Sequence, residues 1–294
     1  MPLAPSELIL NEDGSIYHLC LRPEDIAKTI IFVGDPERVP QVSKHFDRIT
    51  VCRNKREFHT HTGYLNEKKL TVISTGIGTD NIDIVLNELD ALVNIDFESR
   101  TIKKERTILD IVRIGTSGAV QPDIPVDSFL LSEFALGLDG LMHHYQHQLD
   151  GKQRLAKAFV SQTKWAKEKA VPYSLPCDEN LKDHFISNRI RFGVTVTNTG
   201  FYGPQGRNLR LRASNLAFFE QLTSFRYGDH QITNLEMETS GIYLLASLLG
   251  HRAVSLNAIL ANRATGAFSI KASETVQELI QYALDRLASA GTEP

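Results

Sequence analysis

An α/β fold on a mixed sheet is what this sequence predicts, from three observations. Short apolar, β-branched runs alternate along the chain with segments of helical periodicity. The stretch Glu57 to Thr75 alternates in polarity around Asn66-Glu67-Lys68 and predicts a hairpin, so the sheet is not purely parallel. No repeat and no low-complexity linker interrupts the 294 residues, a length that admits two domains of ~100–200 residues or one large α/β unit.

Residues 1–15 are polar, include Pro2 and Pro5, and read as an N-terminal arm. Thr29-Ile-Ile-Phe-Val33 is apolar, β-branched and ends at Gly34, which predicts a buried strand. Asp35-Pro-Glu-Arg38 follows, with Pro36 suited to the first position of a helix. Beyond the hairpin, Gly76-Ile-Gly78 reads as a turn, and Ile82, Val85, Leu89 and Leu92 give Asn81 to Val93 a helical stripe. Asn94 to Thr107 is charged and predicts an exposed insertion. Leu109 to Ile114 reads as a strand closed by Gly115-Thr-Ser-Gly118. Asp127 to Ala135 and Arg191 to Thr197 are further strands, and the basic, amphipathic Lys152 to Lys169 reads as a solvated helix face. Met237 to Leu249 predicts a helix, Ala253 to Ala261 a buried strand, and Ser273 to Ala288 a closing amphipathic helix.

Composition excludes several classes. With 42% hydrophobic and 23% charged residues the chain can build a core, so wholesale disorder is ruled out. The net charge of −3 argues against a general nucleic-acid partner. No apolar run approaches the ~20 residues of a membrane span, and the first residues lack the basic start and apolar core of a secretory signal. Three widely spaced cysteines, Cys20, Cys52 and Cys177, fit a reducing cytoplasm and give no disulfide framework. Ten histidines include His143, His144 and His147 at helical spacing and His59 and His61 at strand spacing. No Cys/His set has zinc spacing, so no metal is expected.

Four constellations carry chemistry. In Gly34-Asp-Pro-Glu-Arg38 a glycine after a strand exposes bare backbone, and an arginine four positions on can reach the same anion. The run reads equally as a plain strand–turn–helix with a surface arginine. Arg113 lies inside an apolar strand, and arginine is rarely buried unless paired. With the glycines and hydroxyls of Gly115-Thr-Ser-Gly118 it suits an oxyanion site, or else an internal carboxylate. Asn234-Leu-Glu-Met-Glu238 sets two carboxylates about a methionine. One carboxylate can accept from two vicinal sugar hydroxyls while the thioether packs on the sugar, or the pair simply complements a helix dipole. In Phe201-Tyr-Gly-Pro-Gln-Gly-Arg207, Gln205 and Arg207 can read a planar edge and Phe201 can stack on a ring, unless this is only a surface loop.

In order and chemistry these motifs, together with Tyr17-His18-Leu19, Arg56-Glu-Phe58, Ser74-Thr-Gly-Ile-Gly78 and Asn262-Arg263, resemble the nucleoside phosphorylase superfamily and, within it, its uridine-cleaving branch. The resemblance runs from about His18 to Arg263. It implies a single three-layer α/β/α domain, here 16–294, around a distorted mixed β-sheet, assembled as a homodimer or as a hexamer of dimers. It implies inorganic phosphate as co-substrate among Gly34, Arg38, Arg113 and Thr116, with Arg56 reaching in from the neighbouring subunit. Ribose would lie on Met237 with Glu238 on its 2′- and 3′-hydroxyls, and the neighbour's His18 would meet the 5′-hydroxyl. Uracil would lie near Phe201 and Gly118, bonded to Gln205 and Arg207, with Arg263 completing the pocket. Related purine phosphorylases lack the Gln205/Arg207 pair and carry an aspartate in place of Arg263. The resemblance also offers a monovalent cation held between subunits by a glutamate, a carbonyl and a serine. Glu57 and Ile77 match, but Asn81 replaces the serine, which counts against it.

The activity implied is reversible phosphorolysis of uridine to uracil and ribose 1-phosphate, with Arg207, Gln205 and Glu238 as the catalytic residues. Phosphate is already nucleophilic, so no serine or cysteine is needed. Arginines position it below C1′, and Arg207 and Gln205 donate into the charge of the leaving base. The alternatives are phosphorolysis of purine nucleosides, a hydrolytic nucleosidase, and a non-catalytic nucleoside-binding protein on the same fold. A nucleosidase does not need the phosphate arginines, all of which this chain keeps, and a binding protein is expected to have lost part of the constellation, whereas His18, Arg38, Arg56, Arg113, Glu238, Gln205 and Arg207 are all present.

Overall fold

The computed structural model describes residues 2–149, 151 and 153–289. Lys152, at the start of the basic stretch, and 290–294, the end of the expected domain, lie outside the described residues. In chain order the elements are β1 (Thr29–Val33), α1 (Arg38–Ser43), β2 (Arg48–Lys55), β3 (Phe58–Leu65), β4 (Lys68–Ser74), α2 (Thr79–Asn94), β5 (Ile95–Asp96) and β6 (Thr101–Ile102). Then come β7 (Asp110–Ala119), β8 (Phe129–Gly137), α3 (Arg154–Thr163), β9 (Tyr173–Pro176), α4 (Glu179–Asp183) and β10 (Ile190–Thr197). The chain ends with α5 (Phe218–Ser224), β11 (Arg226–Tyr227), β12 (His230–Glu236), α6 (Thr239–Leu249), β13 (Arg252–Asn262), β14 (Ala267–Phe268) and α7 (Ala272–Ser289).

The strands that read as unbroken apolar runs are the central ones, as expected of strands covered on both faces. β1 is parallel to β4 on one side and to β7 on the other, and β7 is parallel to β13. The sheet runs β11-β12-β10-β8-β13-β7-β1-β4-β3-β2. It is mixed: β2, β3 and β4 are antiparallel, and β8 opposes β13 while running parallel to β10. One further pairing distorts it. β12 lies parallel to β10 and also antiparallel to β7, with Leu235 opposite Gly118, so β7, β13, β8, β10 and β12 close into a ring. The α/β class and the mixed sheet are as the sequence predicts.

Helices α2 and α6 pack on each other, α7 lies on β13 and β7, and α1 lies on β3 and β4. A second, smaller core sits under α3 and α5, where Leu155, Phe159, Phe218 and Leu222 meet Val194 and Val196 of β10. The basic stretch therefore buries an apolar stripe, while Arg154, Lys157 and Lys164 stay solvated. Half of the 94–107 segment is exposed, and it holds the β5–β6 hairpin. Its Arg100 donates to the carbonyls of Leu3, Ala4 and Leu8, and Leu8 is buried in the main core, so the N-terminal residues are clasped against the body.

Several boundaries differ from the sequence reading, each for a local reason. Helix α1 begins at Arg38, not at Pro36, because the Asp35 carboxylate accepts the Glu37 N–H and makes 35–37 a turn. β7 does not stop at Ile114. It runs through Gly115-Thr-Ser-Gly118, and Gly115 is there because the Arg113 guanidinium folds over it: a Cβ would sit 2.0 Å from Nη1. Helix α6 starts at Thr239, two residues late, because the Glu236 carboxylate accepts the N–H groups of Glu238 and Thr239, each at 2.8 Å. β8 begins at Phe129, since Asp127 turns the chain with φ 64°. β2 is not evident in the sequence because it is a largely exposed strand rich in charge.

Candidate active site

A cleft of about 950 Å³ opens at the carboxyl ends of β1, β7, β12 and β13. Ligand sites of open α/β sheets lie at such strand ends. Into it the fold brings Gly34, Arg38, Arg113, Thr116, Gly118, Phe201, Gln205, Arg207, Met237, Glu238 and Arg263. These are all the expected site residues except His18 and Arg56.

One end is organised by Arg113. Its Nη2 lies 2.6 Å from Glu238 Oε2 and 3.2 Å from Glu236 Oε2, and its Nη1 donates to Asn257 Oδ1 at 3.1 Å. Burial alone would lower the Arg113 pKa, but the two carboxylates outweigh it and hold the side chain firmly cationic. Arg113 is thus paired with internal carboxylates, as one reading of it expected, and it also lines the cleft. The two carboxylates divide their duties. Glu236 also accepts from Thr197 Oγ1 and caps α6, which is the dipole role. Glu238 accepts the Gly78 N–H at 2.8 Å on Oε1 and Arg113 on Oε2, leaving a lone pair on each oxygen for a ligand. Burial raises the Glu238 pKa, with Arg113 pulling it back. Arg38 is half-buried and, among the described residues, makes no salt bridge and no side-chain hydrogen bond. Burial and then the charge of Arg113 lower its pKa, outweighing the opposite pull of Asp35 and Glu238. An unpaired guanidinium pressed toward a second one makes this end of the cleft suited to an anion.

The other end carries Gln205, Arg207 and Arg263. Gln205 is 2% exposed. Arg207 donates to Gln205 Oε1 and to the Phe201 carbonyl, and Arg263 donates to the Gln205 carbonyl. The Gln205 amide is thereby oriented, with Nε2 free to donate. Burial and then Arg263 push Arg207 down to about 10, so it stays cationic at neutral pH. Neither arginine has a carboxylate partner among the described residues, so this end holds uncompensated positive charge. The Arg207 Cζ lies 3.8 Å from the Phe201 ring centroid, so one face of the ring expected to stack on a base holds Arg207 instead.

His18 and Arg56 lie elsewhere. Glu88 accepts both backbone N–H groups of His18 and Leu19 and approaches His18 Nδ1 at 2.6 Å. In the neutral ring that bond leaves Nε2 as an acceptor. Arg56 is exposed at the tip between β2 and β3, in the left-handed region at φ 56°, while the next residue, Glu57, lines the cleft. At the place offered to a cation, Asn81 Nδ2 donates to the Ile77 carbonyl at 3.2 Å. The carbonyl a cation would need already faces a donor, so the residues present do not fit it. Among the described residues no cluster of His, Cys, Asp and Glu is placed to hold a metal ion.

The sequence reading did not single out Asn257 as a partner of Arg113, since β13 carries other polar residues, Ser255 and Asn262 among them. It gave Glu238 to the sugar through the family resemblance, but the capping role of Glu236 had no local signal beyond the acidic pair itself.

The model of the phosphorylase superfamily matches residues 28–291. A uridine phosphorylase of Thermococcus kodakarensis is 30% identical, over 92% of this chain and 89% of its own. A DeoD-type purine nucleoside phosphorylase of Caldanaerobacter subterraneus is 25% identical, over 91% of this chain and 98% of its own. A solved structure of a Trypanosoma brucei nucleoside phosphorylase, described as showing uridine phosphorylase activity, superposes with a TM-score of 0.87 at 28% identity, over 96% of this chain and all of that one.

Proposed function

The chain belongs to the phosphorylase superfamily, and from that premise we propose that it is a uridine phosphorylase: a pentosyltransferase that converts uridine and phosphate to uracil and ribose 1-phosphate. One observation carries the choice of substrate. The base end of the cleft holds Arg207 and Arg263 without a carboxylate and Gln205 with its amide held in place. That end suits a base that leaves as an anion through its oxygens, and among the described residues it holds no acid to protonate a purine ring nitrogen.

The steps follow from the residues. Phosphate sits below C1′ between Arg38 and Arg113, with Thr116 and the bare backbone of Gly34 alongside. Ribose rests on Met237, and Glu238, anchored by Gly78 and Arg113, accepts its hydroxyls on the remaining lone pairs. As the glycosidic bond stretches, C1′ becomes oxocarbenium-like. Arg207 and Gln205 Nε2 donate into the charge growing on uracil, a bond stronger in the transition state than in the ground state. Phosphate then closes on C1′ from the opposite face.

The assay that tests this is uracil formation from uridine, followed by absorbance, with and without phosphate. Cleavage is expected only with phosphate, and inosine is expected to react poorly. Equal rates in phosphate-free buffer would favour hydrolysis, and faster inosine cleavage would favour the purine reaction. Arg207→Ala should lower kcat/KM for uridine by ~10²–10³, with kcat falling and not KM alone. A parent rate in that variant would refute the base-site assignment.

Because Asn81 Nδ2 already serves the Ile77 carbonyl, we also propose that turnover needs no monovalent cation. Replacing potassium by tetramethylammonium at constant ionic strength should leave the rate unchanged, and a potassium requirement would contradict this. The three cysteines are free, which supports a reducing cytoplasmic setting, and no helix among the described residues is long and apolar enough to cross a membrane. The assembly we propose is a homodimer, or a hexamer of dimers, in which Arg56 and the Glu88-held His18 serve the neighbouring cleft.

A further inference from the structure

Asn262, the last residue of β13, engages every polar position of its side chain within the protein. Its Nδ2 donates to the carbonyls of Gln121 at 2.9 Å and Ile124 at 2.7 Å. Its Oδ1 accepts the N–H groups of Ala264 at 2.9 Å and Thr265 at 3.1 Å. Only this sense of the amide satisfies both sides, since carbonyls need a donor and N–H groups an acceptor. Asn262 is 2% exposed, although it lines the cleft. With both donors used and its oxygen engaged twice, it has no hydrogen bond left to offer a ligand. A buried and fully engaged amide beside a binding cleft acts through what it holds.

On one side it holds a part of the core. Ile124 is buried in a small cluster with Ala119, Leu130 and Ile259, and Gln121 Nε2 donates to the Ile232 carbonyl of β12 at 2.7 Å. On the other side lies the turn that joins β13 to β14 and lines the cleft. Arg263 is the first residue of that turn. Its N–H donates to the Ala119 carbonyl at 2.9 Å, its guanidinium donates to the Gln205 carbonyl, and its Cζ lies 5.2 Å from the Phe219 ring centroid. One amide thus fixes the main chain on both sides of Arg263. That sets the direction in which the long side chain leaves, and it reduces the entropy still to be lost in holding the guanidinium on Gln205.

From this clamp we propose that Asn262 is a positioning residue for the leaving base: it holds Arg263 across the base end, and Arg263 holds the loop that carries Gln205 and Arg207. The proposal rests on uridine phosphorolysis as the reaction. The Gln205 amide and the Arg207 guanidinium donate into the charge growing on uracil, and a misplacement of about an ångström in such groups can cost ~10² in rate. The turn alone would be served by any side chain that accepts its two N–H groups, aspartate or serine included. The two bonds donated to Gln121 and Ile124 are what tie the turn, and Arg263 with it, to the core. An asparagine supplies both halves from one short side chain.

Steady-state kinetics of Asn262→Ala, Arg263→Ala and the double variant test it, with uridine and with 5-fluorouridine, whose base is the better leaving group. Asn262→Ala is expected to lower kcat/KM for uridine by about ten- to a hundredfold and to leave KM for phosphate unchanged. The double variant should be no slower than Arg263→Ala, because Asn262 has nothing to position once the guanidinium is gone. The loss in Asn262→Ala should be smaller with 5-fluorouridine, since a more stable base anion needs less from the donors. Asn262→Ser keeps an acceptor for the turn and loses both donors. It is the variant to read if alanine prevents folding, and the same three results are expected of it with a smaller loss. Losses that multiply in the double variant, an equal loss with both nucleosides, or a changed KM for phosphate would each show a general structural role and overturn the proposal. Parent activity in both Asn262 variants would overturn it too. A parent enzyme that leaves uridine intact would instead overturn the reaction itself.

Discussion

Arg113→Met is expected to abolish phosphorolysis and to destabilise the fold by ~3–5 kcal/mol, the cost of stripping one partner from a buried ion pair. Arg113 is 6% exposed and is the shared counter-charge of Glu236 and Glu238, themselves buried. Without it two carboxylates face each other in low dielectric, Asn257 loses its donor, and the space over Gly115 is left to a thioether. Catalysis suffers separately, since phosphate loses a charge-assisted partner of ~2–5 kcal/mol, which is a factor of ~30 to several thousand in kcat/KM. Urea unfolding and the uridine assay read the two effects independently. The double variant Arg113→Met/Glu238→Gln removes one orphaned charge, so it should regain part of the stability and none of the activity. A single variant as stable as the parent would show that the carboxylates do not depend on Arg113, and activity restored in the double variant would remove Arg113 from the phosphate site.

Arg113 was legible because a lone arginine within Leu109 to Ile114 has no apolar explanation. Gly34 and Arg38 were legible for the same kind of reason, as a strand end with a basic residue one turn on. Other features depend on strand order, which no local pattern encodes. Ser132, Thr195 and Asn257 sit among other polar residues of their strands, such as Glu133, Thr197 and Ser255, and nothing in any one run says that they meet. They meet because β8 pairs with both β10 and β13. Gly115 and Gly118 misled in the opposite direction. Glycine pairs usually mark turns, whereas here both lie within β7: the missing side chain of Gly115 makes room for a guanidinium, and a Cβ at Gly118 would meet Ala261 and Arg263 only at ordinary contact distance. The family resemblance gave Glu238 to the sugar, but the capping role of Glu236 was hidden from the local pattern, because the choice of cap depends on where β12 ends and α6 begins.

Mixing two inactive variants, Arg38→Ala and Arg56→Ala, is expected to restore activity to roughly a quarter of the parent's. Arg38 lines its own cleft and orphans no partner when removed, so its variant should fold. Arg56 is absent from its own cleft. It sits exposed at a hairpin tip, held there by a left-handed backbone that non-glycine residues adopt only under constraint. If that tip serves the neighbouring cleft in an isologous dimer, each subunit lends the other the same residue. Each variant alone then lacks one phosphate-binding guanidinium in every cleft. In a mixed dimer one cleft lacks both arginines and the other lacks neither. Random pairing makes about half of the dimers mixed, with one sound cleft in two, which gives the quarter. The measurement needs subunit exchange confirmed by native mass spectrometry before the uridine assay. Exchange without recovered activity would place Arg56 outside the neighbour's cleft and leave the shared site without a functional basis. Recovery would also give a purpose to the Glu88 carboxylate that fixes His18, a residue that does not line its own cleft.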